Sequence, residues 1–143
     1  MRKYICVLAI LSAALLSLIL VACAPTPQAT DPASVTKALF NAINQGKAEA
    51  AANCFADDGQ LIWAFGQPKG TKKLHDYIQN TLIPMKTKLT IITLTADGEN
   101  ATGVFSIWNR DTQSQFPNGA PPLKLDAVVQ SGKIKTMTWS TNK

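Results

Sequence analysis

The sequence predicts a single domain of the α+β class, and three observations support this prediction. Apolar residues recur at helical spacing in residues 32–45 and again in residues 71–82. From residue 86 onward the chain is rich in β-branched residues, and short turns interrupt it. When helices come first and antiparallel strands follow, the helices pack on one face of a single sheet.

The first helix is predicted to begin at Asp31-Pro32, because Asp is a good N-cap and Pro suits the first helical position. Its apolar face carries five residues: Val35, Ala38, Leu39, Ala42 and Ile43. Gly46 is the expected stop. A short second helix is predicted for residues 47–55.

A turn is predicted at residues 57–59, which read Asp-Asp-Gly, and a short apolar strand at residues 60–65. Residues 66–70 are predicted to form a loop. A third helix is expected from its N-cap Thr71 to Leu82, and Pro84 ends it.

The second half predicts two antiparallel hairpins. Their strands are expected at residues 86–96 and 101–109, and at 123–130 and 133–140. The intervening segment, residues 111–122, contains three prolines and an Asn-Gly pair, so no strand can run through it.

The N-terminus resembles the signal of a bacterial lipoprotein. Two cations precede an uncharged apolar run over residues 4–22, which ends Leu20-Val21-Ala22-Cys23. This pattern predicts cleavage before Cys23, whose thiol then carries a diacylglycerol. One acyl chain holds a protein weakly, and two or more hold it durably. The predicted organisation is therefore a signal at 1–22, a lipidated tether at 23–32 and a domain at 33–143.

The alternative for residues 4–22 is an uncleaved membrane anchor, since about 20 apolar residues can span a bilayer. Lipidation at Cys23 places the protein in the bacterial cell envelope. Residue 24 is Ala rather than Asp, which favours the outer membrane in a Gram-negative cell. In a single-membrane cell the same signal gives the outer face of the plasma membrane.

Composition argues against a nucleic-acid partner. The chain of 143 residues has a formal charge of +5, but removal of the signal leaves 12 cations against 9 anions. The lysines are scattered, so contact with an anionic membrane is a better use of them. Cys54 is the remaining cysteine and cannot form an intrachain disulfide. Its apolar surroundings favour a small core residue over a nucleophile.

Several phrases, in this order, resemble the nuclear transport factor 2-like superfamily and its SnoaL-like branch. They are residues 42–47 (AINQGK), 54–59 (CFADDG), 66–70 and 131–134 (SGKI). One departure is Lys47, where the superfamily often has Asp. The resemblance implies a cystatin-like cone, in which three N-terminal helices pack on a curved, mostly antiparallel sheet around an internal pocket.

The ketosteroid isomerase branch of that superfamily needs a tyrosine and two acids in the pocket. Counting along the resemblance places the tyrosine position at Leu39 and the base at Trp63. The second acid falls near Leu125, with Asp126 one residue away. Because Leu39 and Trp63 cannot move a proton, this chemistry is not expected. Together with Tyr77, they are instead candidates for lining an apolar pocket.

The remaining acid–base candidates are His75 and Asp76 on the third helix, and Asp126 on a strand. For the first two the simpler interpretation is a solvated helix face. Strand alternation puts Asp126 on one face of the sheet without deciding whether that face is inside. No residues have the spacing of a metal site, and no cofactor is expected.

The sequence therefore predicts a lipid-anchored binding or interaction module for a small apolar ligand or a protein partner. Trp108 and Trp139 are candidates for a partner surface, because the resemblance implies that the outer sheet face forms homodimers. The first alternative is a SnoaL-like enzyme that acts on a hydrophobic substrate by acid–base chemistry. The second is an envelope protein whose cone is fully packed.

Overall fold

The computed structural model describes residues 31–141, so the predicted signal and Cys23 lie outside the described residues. Helices and strands follow in this order: α1 (Pro32–Asn44), α2 (Ala48–Ala52), β1 (Phe55–Ile62), α3 (Thr71–Tyr77), a π-helical turn (Ile78–Leu82), β2 (Lys88–Asp97), β3 (Asn100–Trp108), α4 (Arg110–Gln115), β4 (Leu123–Gln130) and β5 (Lys133–Thr141). Within this part of the chain no helix has the length and apolar character needed to cross a membrane.

The five strands form one mixed sheet in the order β1-β5-β4-β3-β2. β1 runs parallel to β5, and every other neighbouring pair is antiparallel. The turns at residues 97–100 and 130–133 therefore lie at one end, which we call the hairpin end. β1, β3 and β5 all finish at the opposite end.

The helices cover one face of this sheet and enclose the core between them. α1 contributes Val35, Leu39 and Ile43, and strand alternation supplies inward residues such as Leu125 and Met137. The predicted α+β class is confirmed, with helices packed on a curved five-stranded sheet.

Both ends of α1 are held by side-chain hydrogen bonds. The Asp31 carboxylate accepts from the amide of Ser34 at 3.0 Å, and Pro32 occupies the first helical position, as predicted. At the other end, Asn44 mimics a strand partner for Leu89. Its Nδ2 donates to the Leu89 carbonyl at 2.8 Å, and its Oδ1 accepts from the Leu89 amide at 2.7 Å. These bonds join the end of α1 to the start of β2.

The prediction of a turn at residues 57–59 is wrong, because these residues lie inside β1. They form a bulge in β1, opposite the stretch of β5 between Ile134 and Thr136. The register moves from Phe55 opposite Ile134 to Gln60 opposite Thr136. Gly59 permits this close approach, since a Cβ there would lie 2.7 Å from the Ile134 carbonyl oxygen.

The second helix and first strand also differ from prediction at their ends. α2 stops at Ala52 rather than residue 55. β1 stops at Ile62, and Trp63 and Gly66 then exchange backbone hydrogen bonds of 3.1 and 3.3 Å across a tight turn. This turn carries Phe65 at its exposed tip.

The third helix is capped by Gly70, whose φ of 84° an L-residue rarely adopts, and Thr71 is its first helical residue. It ends at Leu82, as predicted, after a final turn that widens to π geometry.

One helix was not predicted. The segment expected to be irregular begins with α4, which a capping box starts. Asn109 Oδ1 accepts from the Thr112 amide at 2.8 Å, and Thr112 Oγ1 accepts from the Asn109 amide at 2.8 Å. Asn109 and Thr112, three residues apart, form a capping-box pattern that can be recognised in the sequence.

Candidate functional site

A chain of aromatic contacts leads from the surface into the core, and we call it the aromatic ladder. It comprises Phe65, Trp63, Trp139, Phe105 and Phe40. Ring centroids lie 5.0 Å apart between Phe65 and Trp63, and 5.4 Å between Trp63 and Trp139. Trp139 and Phe105 are 5.2 Å apart, as are Phe105 and Phe40. Three of these contacts are edge-to-face, an arrangement that aromatic quadrupoles favour.

The half-buried part of the ladder is tied to α3 by a polar contact. Trp63 Nε1 donates to the Tyr77 hydroxyl at 2.8 Å, and the two ring centroids are 6.3 Å apart. Burial raises the pKa of the Tyr77 phenol, and the bond from Trp63 opposes that shift. Gly66 makes room for this arrangement, because a Cβ there would lie 3.2 Å from the Tyr77 ring.

Trp139 carries one of three buried side-chain polar atoms that lack a hydrogen-bond partner among the described residues, and the other two are the hydroxyls of Thr71 and Thr87. The Trp139 side chain is only 3% exposed, yet its indole Nε1 has no hydrogen-bond partner among the described residues. A buried unsatisfied donor costs free energy, on the order of 1–3 kcal/mol. The expectation that Trp139 lies on an outer partner surface is therefore corrected. Strand alternation places it inward with Met137, whereas Trp108 faces outward and is 40% exposed.

The interior of the described residues holds no buried carboxyl, imidazole or cationic side chain, and the titratable groups packed against it are the half-buried Tyr77 phenol and Cys54 thiol. Within residues 31–141, every Asp, Glu, His, Lys and Arg side chain is exposed or half-exposed. Leu39 and Leu125 are buried, and Trp63 is half-buried. None of these three side chains, at the positions that the resemblance implies for isomerase chemistry, carries an acid or a base.

Asp126 lies on the outer face of the sheet. It is exposed and stands in register with Thr102 on β3 and Thr138 on β5. Asp126 therefore faces away from the interior, which strand alternation alone could not decide. A carboxylate on this face cannot reach an interior ligand.

His75 and Asp76 contact each other on the surface of α3. His75 Nδ1 lies 3.4 Å from the Asp76 carboxylate, and Lys72 Nζ lies 2.9 Å from it. The hydrogen bond from Lys72, followed by that from His75, lowers the pKa of Asp76. Asp76 is therefore a carboxylate at neutral pH. Within the described part of the chain, no three metal-ligating side chains come together.

A depression of about 430 Å³ opens at the hairpin end. Its lining includes Asn53, Thr71, Lys133 and Lys135. Both ammonium groups are already engaged. Lys133 donates to the Asn53 carbonyl, and Lys135 pairs with Asp58 at 2.5 Å. This depression is open and polar, in contrast to the interior beside Trp139.

With this geometry established, comparison with known proteins gives the family. The SnoaL-like domain family matches residues 36–132, which is more than half of the chain. The chain belongs to the SnoaL-like domain family. A comparison with curated proteins found no match.

Solved structures share the fold at low sequence identity. A proposed polyketide cyclase from Sinorhizobium meliloti is 16% identical with a TM-score of 0.64, and the match covers 75% of this chain and 94% of that one. A proposed ketosteroid isomerase from Kribbella flavida is 19% identical with a TM-score of 0.61, covering 78% and 79%. A computationally designed 17-OHP binder is 11% identical with a TM-score of 0.65, covering 79% and 92%. At this identity, the likeness shows the fold alone.

Of the sequence-predicted lining residues, the structure brings Trp63 and Tyr77 into direct contact and buries Leu39 in the same core. Sequence reasoning missed Phe40 and Phe105 as members of the aromatic ladder. It also missed the role of Trp139, although the alternation of Met137 and Trp139 on β5 was a signal that both face inward.

Proposed function

We propose that this chain is a lipid-anchored, extracytoplasmic binding module, and that its interior takes a small apolar molecule with one hydrogen-bond acceptor. The observation that carries this proposal is the unpartnered Nε1 of buried Trp139. Binding sites for small molecules are mostly apolar and contain a few placed polar groups. An acceptor on the ligand, such as a carbonyl or ether oxygen, would satisfy this donor.

The surroundings of Trp139 support binding over acid–base chemistry. The half-buried phenol of Tyr77, whose pKa is raised by burial, accepts a hydrogen bond from Trp63. The neighbouring rings of Phe40, Phe105 and Trp63 are not acids or bases, and the described interior holds no buried carboxyl, imidazole or ammonium group. General acid–base catalysis requires such a group within hydrogen-bond reach of the reacting atoms.

Access for the ligand is proposed to run through Trp63 and Tyr77. Both are half-buried, whereas Phe40 and Phe105 are fully buried. Moving the half-buried pair removes less apolar surface from contact, so it costs less free energy. Rotation of Trp63 away from Trp139 would open one side of the indole without moving the sheet.

The test is native mass spectrometry of the full chain purified gently from its own host. A reproducible added mass, released on denaturation, is the expected result. Its matched control is Trp139→Phe, which keeps an aromatic ring and removes the N–H donor. Loss of one hydrogen bond of about 1 kcal/mol should lower affinity roughly fivefold. A bare mass for the wild type, or equal affinity of both proteins, would reject the proposal.

The anchor is tested separately by metabolic labelling with an alkyne analogue of palmitate. The expected result is incorporation into the wild type and none into Cys23→Ala. Incorporation at equal levels would reject lipidation at this cysteine. Neither outcome changes the interpretation of ligand binding, because the interior lies within residues 31–141.

A second candidate is a SnoaL-like enzyme that uses acid–base chemistry on a hydrophobic substrate. The contact of 3.4 Å between His75 and Asp76 favours it, since a carboxylate can hold a histidine ring in one orientation. Its test is whether the mass of a captured ligand changes with time during incubation. Conversion of the ligand by the wild type but not by His75→Gln would establish the enzyme. A ligand whose mass stays unchanged would favour the binding module.

A further inference from the structure

We infer that the end of the sheet opposite the hairpin end rests on an anionic lipid surface. This inference concerns exposed side chains only and goes beyond ligand binding. Its first support is the distribution of exposed apolar groups. Three of the four large hydrophobic side chains exposed in residues 31–141 lie at this end: Phe65, Trp108 and Phe116. We call it the aromatic end.

The sheet register fixes this placement. β1 finishes beside the last residues of β5, and the tight turn with Phe65 follows directly. Trp108 is the last residue of β3 and stands opposite Lys88, the first residue of β2. Neighbouring strands are about 4.8 Å apart, so β1 and β3 lie roughly 14 Å apart across the sheet. The strands that precede Phe65 and carry Trp108 thus finish at the same end of the sheet.

Exposure at these positions is large for apolar rings. Phe65 is 79% exposed, and Trp108 and Phe116 are each 40% exposed. Aromatic side chains, tryptophan above all, favour the boundary between lipid headgroups and acyl chains. Exposure of these rings to water gives no stabilisation, whereas their contact with a membrane interface does.

The charges around these rings match an anionic partner. Residues 63–66, 84–88, 108–124 and 139–141 form the aromatic end, and they hold four cations against the single acid Asp111. The cations are Lys86, Lys88, Arg110 and Lys124. No salt bridge among the described residues uses them, and Lys88 Nζ donates one hydrogen bond, of 2.6 Å, to the Asn44 carbonyl. Cations that flank exposed aromatic rings are attracted to anionic headgroups within about a Debye length.

Chain length makes the contact reachable if Cys23 carries lipid. Eight residues, 23–30, precede the described domain, and eight extended residues span at most about 29 Å. A domain held this close meets the bilayer repeatedly, so a weak surface contact is populated. The aromatic ladder begins at Phe65, and the contact would therefore bring its outermost ring to the lipid.

The test places the full chain on vesicles that contain anionic phospholipid and a phospholipid brominated near the glycerol end of its acyl chains. Bromine quenches a tryptophan that enters the interface. Trp108 is isolated by subtracting the signal of Trp108→Phe. The location control is W108F/Q130W, which moves the probe to the exposed Gln130 at the hairpin end. We expect quenching of Trp108 and none of the probe at position 130.

Charge is tested by two variants that remove the same number of cations. K86Q/K88Q/R110Q/K124Q alters the aromatic end, and K72Q/K73Q/K133Q/K135Q alters the side chains around the hairpin-end depression. The first should lower the quenched fraction of Trp108 by at least about half, and the second should leave it unchanged. Salt near 1 M, where the Debye length is about 3 Å, should mimic the first variant.

Equal quenching at positions 108 and 130 would overturn the proposal, as would equal effects of the two charge variants. Shielding of Trp108 from iodide without vesicles, at twice the monomer mass in sedimentation, would assign this surface to a second copy of the chain instead. Failure of the lipid anchor gives a different result, because a chain without lipid does not stay on the vesicles. Anionic vesicles are then added to that chain in solution, and absence of Trp108 quenching would overturn the proposed contact.

Discussion

The indole nitrogen of Trp63 donates a hydrogen bond of 2.8 Å to the hydroxyl of Tyr77. This bond joins the turn after β1 to the C-terminal part of α3, two segments that otherwise meet through apolar contacts. It also gives a hydrogen-bond partner to the polar side-chain atom of each of these two half-buried residues. Trp139, which contacts Trp63 at 5.4 Å, has no such partner. The N–H donor of Trp63 is therefore satisfied within the fold, whereas that of Trp139 is available.

The phenol of Tyr77 should titrate above the ordinary value of 10.0, because burial disfavours the phenolate. Absorbance at 295 nm against pH measures this directly, since the other tyrosine, Tyr4, precedes Cys23. Trp63→Phe removes the bond that opposes the shift, so the midpoint should rise further. The folded pKa is raised, so the stability contribution of Tyr77 is complete below pH 10 and is lost as pH rises through the folded value. A midpoint at or below 10.0 contradicts this.

Gly103→Ala should destabilise the fold strongly. A Cβ at this position would lie 2.3 Å from the backbone carbonyl oxygen of Thr93, beside the bulge in β2. A backbone atom cannot yield as a side chain can, so we expect a loss of about 2–3 kcal/mol in the free energy of unfolding. Urea denaturation measures it. Thr102→Ala is the neighbouring control on the exposed face, where the change should stay within roughly 0.5 kcal/mol.

Cys54 should react slowly with iodoacetamide at pH 8. Burial raises the pKa of its thiol, and the charge of Lys133 opposes that shift. Its Sγ also donates to the Ala50 carbonyl at 3.4 Å. Because the thiolate is the nucleophile, alkylation should be faster in the urea-unfolded chain and slower in Lys133→Gln. Peptide-resolved mass spectrometry separates Cys54 from the other cysteines, and equal rates before and after unfolding would contradict the expectation.

Lys135→Gln should raise the pKa of Asp58. The hydrogen bond from Lys135 is the main cause of the lowered value of this exposed carboxyl. NMR titration of the side-chain carboxyl should find a wild-type midpoint below 3.8 and a higher one in the variant. The contribution of the pair to stability is present above the ordinary pKa and is lost as pH falls through the lowered one. Lys133→Gln should leave Asp58 unchanged, which separates the specific bond from general charge.

Local signals predicted most of the fold. The cap at Asp31 and Pro32 depends on neighbouring residues only, and α1 begins where these residues place it. The hairpins around Gly98 and Gly132 follow from turn chemistry and alternation, and both form. α4 was missed because the prolines and the glycine that follow it, in residues 117–122, dominated the interpretation of the segment, although its capping box was present in the sequence.

The predictions that the structure corrects depend on residues that are far away in the sequence. Residues 57–59 have strong turn propensity, yet they form a bulge within β1, because β5, which follows more than 70 residues later, pairs with β1 on either side of them. The alternation of Met137 and Trp139 puts both on the same face of β5, but which face is buried depends on the pairing of β5 with β1 and β4. The candidate site shared this difficulty. Sequence indicated which side chains were apolar, but the unpartnered donor emerged only when all neighbouring groups were in place.

The parallel pairing of β1 with β5 has a consequence for how the chain matures. β1 is among the first elements to be synthesised, and its partner is the last, so the closing contact is the least local in the sheet. Non-local pairing of this kind slows folding. A chain exported N-terminus first would therefore leave the membrane with β1 unpaired and its interior open. It would close only when the final strand, with Trp139, arrives, and a nascent protein would meet small molecules before the interior is sealed.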